Sequence, residues 1–325
     1  MKAKIAKISW EQFAVLGVLI IMVIMFSFTA KGFVSTTNFV NVLRQISMYG
    51  ICAVGMSMVI MTNGVDLSIS STLGLVSVVS VMMMSGGYPI WMAILASLAI
   101  GALVGLANGF CVNEIGMFPM IATMGMQILV RGVALTVTGA MPQYGIPDAF
   151  KNLGQGFIGP IPVPVVIMFV LFFAGIFILN KTVYGKQIYA VGGNQEAARL
   201  SGISYKQVRY KAYIISGICA AIAGLVYSAR VNSGQPMGGL NYEQDVIPAC
   251  VLGGIRLGGG EGKMTGVLIG VIFMGILTNG MILFNLNEYY QMVAKGAVLL
   301  LSVAFDRITK EASMKVKAPA VGGKA

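Results

Sequence analysis

The chain contains no histidine. That absence excludes His-containing catalytic triads, imidazole metal ligands and histidine proton relays. Charge is scarce as well: 10% of the 325 residues are charged, against about 25% in soluble domains. A soluble surface needs charge, so the deficit points to long uncharged stretches rather than to a large soluble core. There are four cysteines, Cys52, Cys111, Cys219 and Cys250, all in apolar segments and without C-x-x-C spacing. Packing is their expected role, not a metal site or a disulfide framework. A phosphate-cradling loop of the form G-x-x-x-x-G-K-[ST] is also missing. The nearest approach is GGGEGKM at 258–264, where Leu257 and Met264 occupy the deciding positions. Its glycines are expected to form a tight loop facing the cytoplasm, with any ATP chemistry elsewhere.

What is present is apolar. Hydrophobic residues make up 57% of the chain, and the mean hydropathy is +0.85. Phe13–Ala30 carries no charge over 18 residues and Leu67–Asn113 none over 47. One helical crossing needs roughly 20 residues, so the second stretch holds two. Glycine supplies 42 residues, well above the usual share of about 7%, and small residues let helix backbones approach in lipid. The 23 methionines add adaptable packing. The pattern predicts an all-α integral membrane protein of about ten transmembrane helices. The spans are 13–30, 46–62, 67–85, 90–110, 117–138, 162–180, 211–229, 245–256, 264–284 and 289–305. The eighth, 245–256, is too short for a full crossing and is expected to be tilted, broken or re-entrant, which is tolerated beside a cavity. The opening MKAKIAK and its apolar run resemble a signal peptide, but the run is long and no A-x-A-like site follows, so an uncleaved first helix is expected.

Orientation follows from the basic residues. With ten crossings and a cytoplasmic N-terminus, sixteen Lys and Arg fall inside. Lys31, Arg44, Lys151 and Arg230 fall outside, and Arg131 and Lys295 lie within spans, which accounts for all 22. Both termini are therefore expected in the cytoplasm. The formal charge of +11 is an orientation signal and not a nucleic-acid footprint, because the cations sit at span ends. The expected organisation is a cytoplasmic segment 1–12, one transmembrane domain 13–305 with a cytoplasmic loop 181–210, and a basic cytoplasmic tail 306–325 that is disordered beyond its first turn or two. The external loop Gly139–Ile161, rich in Gly and Pro, is expected to be irregular. GLANG at 105–109 echoes ILTNG at 276–280, and NGVDLS at 63–68 faintly echoes GGIRLG at 253–258, a modest hint of internal duplication.

The most informative segment is 185–212. Asn194 can cap a short helix, Glu196 sits in its first turn where the dipole favours an anion, and Ala197, Ala198, Arg199 and Leu200 continue it. Gly202 can end it in the left-handed conformation, and Ser204 can cap the next helix. A capped two-turn helix within a cytoplasmic loop suits docking to another protein, and equally suits a plain amphipathic connector.

Here GGN-x-EAARLSGI, with Asn194, Glu196, Ala197, Ala198, Arg199, Leu200, Ser201, Gly202 and Ile203, resembles the coupling segment of ribose-type ABC permeases. NGVDLSISS (63–71), PMIATMGMQILVRG (119–132), YEQDVIPACVLGGIRLGGGEGKMTGVLIG (242–270) and YYQMVAKGAVLLLSVAFDR (289–307) resemble further marks of that family, in order along nearly the whole chain. Ser70, Pro248 and Arg256 depart from its pattern. The resemblance implies a monosaccharide importer subunit in the bacterial cytoplasmic membrane that is not itself an enzyme. It implies a partner ATPase that uses ATP and Mg, an extracytoplasmic sugar-binding protein and a second permease chain, identical or paralogous. The chain itself is expected to bind no cofactor and no nucleic acid, and to contact lipid.

A sugar hydroxyl taken unpaired into hydrocarbon costs on the order of 4–8 kcal/mol, so a polar lining is needed. Asn63, Asp66 and Ser68 are the leading candidates, in a Gly-containing break between two apolar spans, followed by Gln45, Asn108, Thr123, Gln127 and Asn279. Asp66 can instead cap the third helix, and Asn108, Thr123 and Asn279 can instead bridge helices. Glu243 and Asp245, on the external side, are candidates to contact the binding protein or to stabilise their own loop. Arg131 and Lys295 are expected to snorkel to a membrane surface, and Tyr289 and Tyr290 to anchor at one. The rivals are a permease for another polar solute (a nucleoside or signalling sugar) and an ion-coupled secondary transporter. The second would place a carboxylate or histidine deep in a span. A channel lacks a repeated selectivity motif, and an intramembrane enzyme lacks a nucleophile–base pair.

Overall fold

The structure, a computed structural model, describes residues 10–317, with side chains from 15 to 304. Of the expected end segments, 1–9 and 318–325 lie outside the described residues. The helices are α1 (Trp10–Thr29), α2 (Thr36–Met61), α3 (Ile69–Ser85), α4 (Ile90–Asn113), α5 (Pro119–Thr138), α6 (Asp148–Gln155) and α7 (Val163–Lys181). They continue with α8 (Val183–Gly193), α9 (Gln195–Leu200), α10 (Tyr205–Val231), α11 (Glu243–Leu252), α12 (Met264–Leu283) and α13 (Glu288–Lys317). Strands β1 (Phe157–Ile158) and β2 (Ile161–Pro162) form one short antiparallel ladder. The protein is all-α in character, and six helices (α2, α4, α5, α7, α10 and α12) are long and apolar enough to cross a membrane. α3, and α1 from Val15 onward, are apolar but shorter.

Local signals explain the punctuation. Ser35 Oγ caps α2 by accepting from the Asn38 amide at 3.2 Å. Asn63 beyond its end takes φ 62°, and Asn232 ends α10 at φ 56°. Asparagine tolerates this left-handed conformation better than most residues. Pro119 opens α5, where the missing amide costs nothing.

α2 lies at the centre, with Ile46–Thr62 buried without a break. A helix apolar on all sides belongs in the interior. α10 packs along α2, α3 and α4. Its approach to α4 is set by Gly101, Gly105 and Gly109: a Cβ there would meet the Gly217 carbonyl, the Tyr213 carbonyl and the Tyr210 ring. Spacing by four keeps these glycines on one helix face.

Several expectations are corrected. α2 begins at Thr36, ten residues before the expected 46, because its polar first turns find partners. Asn38 bonds Asn279, Arg44 Nη2 donates to the Gln155 carbonyl at 2.6 Å, and Gln45 Nε2 donates to Tyr49 Oη at 3.2 Å. The 139–161 loop is not wholly irregular, since it contains α6 and the β1–β2 ladder. Within the expected loop 181–210, Val183–Gly193 is helical as α8. The tail does not leave the helix within two turns of Asp306, because α13 runs to Lys317, about three turns on.

The eighth segment is broken, as its length required. α11 has ten residues, about 15 Å of helix where roughly 30 Å must be crossed. The chain reaches it through an irregular stretch, 232–242, whose backbone groups are met by side chains. Arg131 Nη1 donates to the Pro236 and Gly238 carbonyls at 2.6 and 3.1 Å, and Ser77 Oγ accepts from the Gln235 amide at 3.1 Å. Arg131 therefore does not snorkel; non-helical backbone at depth needs such partners.

Candidate functional site

The loop between α7 and α10 is a compact set of turns. Asn194 Oδ1 accepts from the Ala197 amide at 3.0 Å, and Ser204 Oγ from the Gln207 amide at 3.5 Å. Gly202 sits at φ 80°. α9 is pinned on one side by buried Ala198, whose carbonyl accepts from the Ile203 amide at 3.0 Å. Glu196 and Arg199 pair across the opposite face, with Arg199 Nε 3.1 Å from Glu196 Oε2. Those bonds raise the guanidinium above its ordinary range. Beside the pair, Leu200 is 76% exposed. Gln195 Oε1 accepts from Arg209 Nη2 at 3.0 Å, tying α9 to the second turn of α10.

The same region is buttressed by the 253–263 loop. Gly254, Gly259, Gly260 and Gly262 all have positive φ. The Gly260 amide donates to the Met61 carbonyl at 2.9 Å, and Tyr189 Oη donates to the Gly262 carbonyl at 2.9 Å. Side chains could not be added at Gly192 or Gly260 without meeting facing backbone.

Asp66 forms the centre of a second cluster. It is 1% exposed. Oδ1 accepts from the Ser68 amide at 3.0 Å, Ser68 Oγ at 2.6 Å and Asn108 Nδ2 at 3.2 Å; Oδ2 accepts from Ser216 Oγ at 2.7 Å. The carboxylate thus joins the α2–α3 break to α4 and α10. Asn108 bridges helices here, whereas Asp66 does not cap α3: its carboxylate takes the Ser68 amide, and Ser68, at the N-cap, makes no side-chain cap bond. Thr123 lies close by, buried, donating to the Pro119 and Val65 carbonyls at 2.9 and 3.3 Å. Asn279 is elsewhere, in a reciprocal pair with Asn38 at 3.0 and 2.8 Å. Gln45 is half-buried on α2, and Asn63 is exposed and lines the same cavity as Gln195 of α9. The sequence therefore grouped Asp66, Ser68 and Asn108 with residues that the fold keeps apart. It missed Ser216 and Asn38, which looked like ordinary small or loop residues; only their partners mark them.

Glu243 and Asp245 are both turned inward, at 8% and 2% exposure. Glu243 Oε1 accepts from Gln127 Nε2 at 3.0 Å, and that amide also reaches Ser70 Oγ at 3.2 Å. Lys295 Nζ lies 2.9 Å from both oxygens of Asp245. Lys295 therefore reaches a carboxylate within the protein rather than a membrane surface. Tyr289 and Tyr290 are exposed. Among the described residues, no group of three or more Cys, Asp or Glu is placed to hold a metal.

Residues 38–303 match the family described as branched-chain amino acid transport system / permease component. The chain is 39% identical over 292 residues to the ribose import permease protein RbsC of Haemophilus influenzae, covering 89% of this chain and 90% of that protein. It is 40% identical over 292 residues to the RbsC protein of Bacillus subtilis, with the same coverage of 89% and 90%. It is 32% identical over 301 residues to the D-allose transport system permease protein AlsC of Escherichia coli, covering 92% of each. No solved structure matches this chain.

Proposed function

The chain belongs to the branched-chain amino acid transport system / permease component family, as a ribose-type ABC permease, and from that premise we propose that it conducts a monosaccharide, a pentose or hexose, into the cell. It is a multi-pass subunit of the bacterial cytoplasmic membrane, and ATP is hydrolysed with Mg on a separate partner. A sugar-binding protein outside the membrane delivers the cargo.

The observation that carries the docking part is Leu200. An apolar side chain held in water next to an ion pair, on a helix pinned from behind by Ala198, is a surface made to be covered. We assign residues 194–203 to contact with the ATPase. In this reading 13–305 is one transmembrane domain with ten crossings, 181–210 is its coupling loop, and 1–12 and 306–325 are cytoplasmic. The tenfold count combines the six long helices with α1, α3, α13 and the broken α11. Sixteen cations against four favour both termini inside.

The solute route is assigned to an outer face completed by a second permease chain, with lipid around the pair. Asn63 remains available to it, and Gln45 lies half-buried at its outer end. Asp66, Ser68, Asn108, Thr123 and Asn279 support its walls from within. Glu243 and Asp245 lie beneath the extracytoplasmic surface and shape the platform on which the binding protein rests.

Copurification from detergent tests this. The native chain is expected to bring down an ABC ATPase, identified by mass, and Glu196→Lys with Arg199→Glu is expected to lose it. A native chain that purifies with no ATPase under conditions that preserve complexes overturns the reading.

A further inference from the structure

A cavity of about 480 Å³ opens between the end of α2, the α4–α5 turn and the start of α10, beside α9. Small-molecule sites typically measure about 300–1,000 Å³. Its chemistry is set by Asn63, Asn113, Phe118, Gln195, Tyr205 and Arg209. The lining holds one cation and no carboxylate. Arg209 Nε donates to the Thr62 carbonyl at 3.3 Å and Nη2 to Gln195 Oε1 at 3.0 Å, while Tyr205 faces the guanidinium at 5.7 Å. Among the described residues Arg209 makes no ion pair, and its Nη1 makes no hydrogen bond. The neighbouring acid, Glu114, is already held by Lys206 at 2.6 Å and by Tyr210.

Asn113 supplies the second observation. It is 7% exposed, its Nδ2 donates to the Lys206 carbonyl at 3.3 Å, and its buried Oδ1 has no partner among the described residues. A buried acceptor left unpaired calls for a donor. A half-buried guanidinium with no counter-charge calls for an anion, which its planar fork holds in two-point contact. Asn63 adds a polar group, and Tyr205 and Phe118 add aromatic rings to the lining.

We propose that this cavity binds a phosphorylated sugar on the coupling side of the membrane, and that its occupancy reaches α9 through Arg209 and Gln195. The phosphate takes the free guanidinium edge, and a hydroxyl donates to Asn113 Oδ1. A two-point contact with Nη1 and Nη2 draws Nη2 away from Gln195 Oε1, and Gln195 is the first residue of α9. Binding there loosens the tie that orients the docking helix. The proposal rests on the transport reading, under which the imported sugar is released on this side of the membrane. A reaction that transfers phosphate to the imported sugar supplies the ligand, and the permease senses its product.

The test is equilibrium binding to the detergent-solubilised permease–ATPase complex, with ribose 5-phosphate, ribose and inorganic phosphate as separate probes. The sugar phosphate is expected to bind tighter than either fragment. Arg209→Gln is expected to weaken it by about tenfold or more, Arg209→Lys by less, and Asn113→Ala by a few-fold. Equal binding of inorganic phosphate and ribose 5-phosphate overturns the sugar part and points to an anion or lipid-headgroup site. Failure of ribose 5-phosphate to bind while the ATPase is still captured overturns the inference and leaves the transport reading intact. Loss of ATPase capture in Arg209→Gln, with no sugar-phosphate binding to the native complex, means that an acidic side chain of the ATPase takes the guanidinium, and this also overturns it.

Discussion

Asp66→Ala separates a structural node from a solute ligand. Four donors converge on this carboxylate, but its removal does not orphan all four. Serine hydroxyls rotate and can take a carbonyl one turn back, and Asn108 Nδ2 keeps its 2.8 Å bond to Ser68 Oγ. The Ser68 amide is the donor that cannot turn elsewhere, and one buried unpaired donor costs about 1–3 kcal/mol. The tie to α10 adds to this. Neutral interhelical bonds in membranes average about 0.6 kcal/mol, whereas bonds to charged groups reach about 1.5–3 kcal/mol. An intermediate value near ~1 kcal/mol suits Ser216 Oγ on a charged acceptor. The expected losses are about 2–4 kcal/mol for Asp66→Ala and about 1 kcal/mol for Ser216→Ala. Since the two residues share one bond, the double variant should melt within about 0.5 kcal/mol of Asp66→Ala alone. Thermal unfolding in detergent, run beside sugar uptake in reconstituted vesicles, reads both quantities. Strictly additive losses would refute the node. So would an Asp66→Ala protein that melts like the native chain yet carries no sugar, because Asp66 would then act on the solute.

Three other outcomes follow from the same geometry. Lys295→Met leaves Asp245 buried without its cation and should cost about 3–5 kcal/mol, with most of the loss recovered by adding Asp245→Asn; unfolding of the single and double variants checks it. Gly217→Ala places a Cβ against the Gly101 carbonyl, where backbone faces backbone, and should cost about 1–3 kcal/mol, while Gly17→Ala, with nothing nearby, should stay within about 0.5 kcal/mol. Leu200→Ser should leave the melting temperature of the isolated chain unchanged and reduce ATPase capture, measured by copurification; capture at the native level would remove Leu200 from the contact.

Much of this architecture was legible along the chain because its causes are local. Asn194, Gly202 and Ser204 each act within three residues of their own position, so the short helix and its two stops could be read directly. The brevity of the eighth crossing was equally readable, from the length of the apolar run between Asp245 and Arg256. What could not be read depends on distant partners. The first turns of α2 carry Asn38, Arg44 and Gln45 and look like a polar loop. They are helical because Asn38 meets Asn279, 241 residues away, and Arg44 meets Gln155, 111 residues away. Arg131 is held by two backbone carbonyls, which have no sequence signature at all. Asp245 and Lys295 were each visible as isolated charges, 50 residues apart, but nothing in the sequence says that one answers the other.

The placement of the polar residues also limits where a sugar can pass. Asp66, Ser68, Asn108, Thr123 and Asn279 are buried, and each is engaged by partners of its own chain. To serve a sugar hydroxyl they would first have to break those bonds, so on the proposed reading they act as ties between helices within a single chain. The route then falls to an outer face. α5 is the natural candidate, because 22% of its apolar window is buried, and its one amide side chain, Gln127, turns inward, toward Glu243. Its outward residues include Met124, Ile128 and Leu129. On the proposed reading, a wall of this kind, closed by a second chain, gives a sugar few protein partners, so its hydroxyls must stay paired with water along the route. Weak holding is what conduction requires, since a solute that binds tightly part-way cannot leave. Selectivity then has to reside upstream, in the protein that delivers the sugar, while this chain supplies the opening and the helix through which ATP hydrolysis controls it.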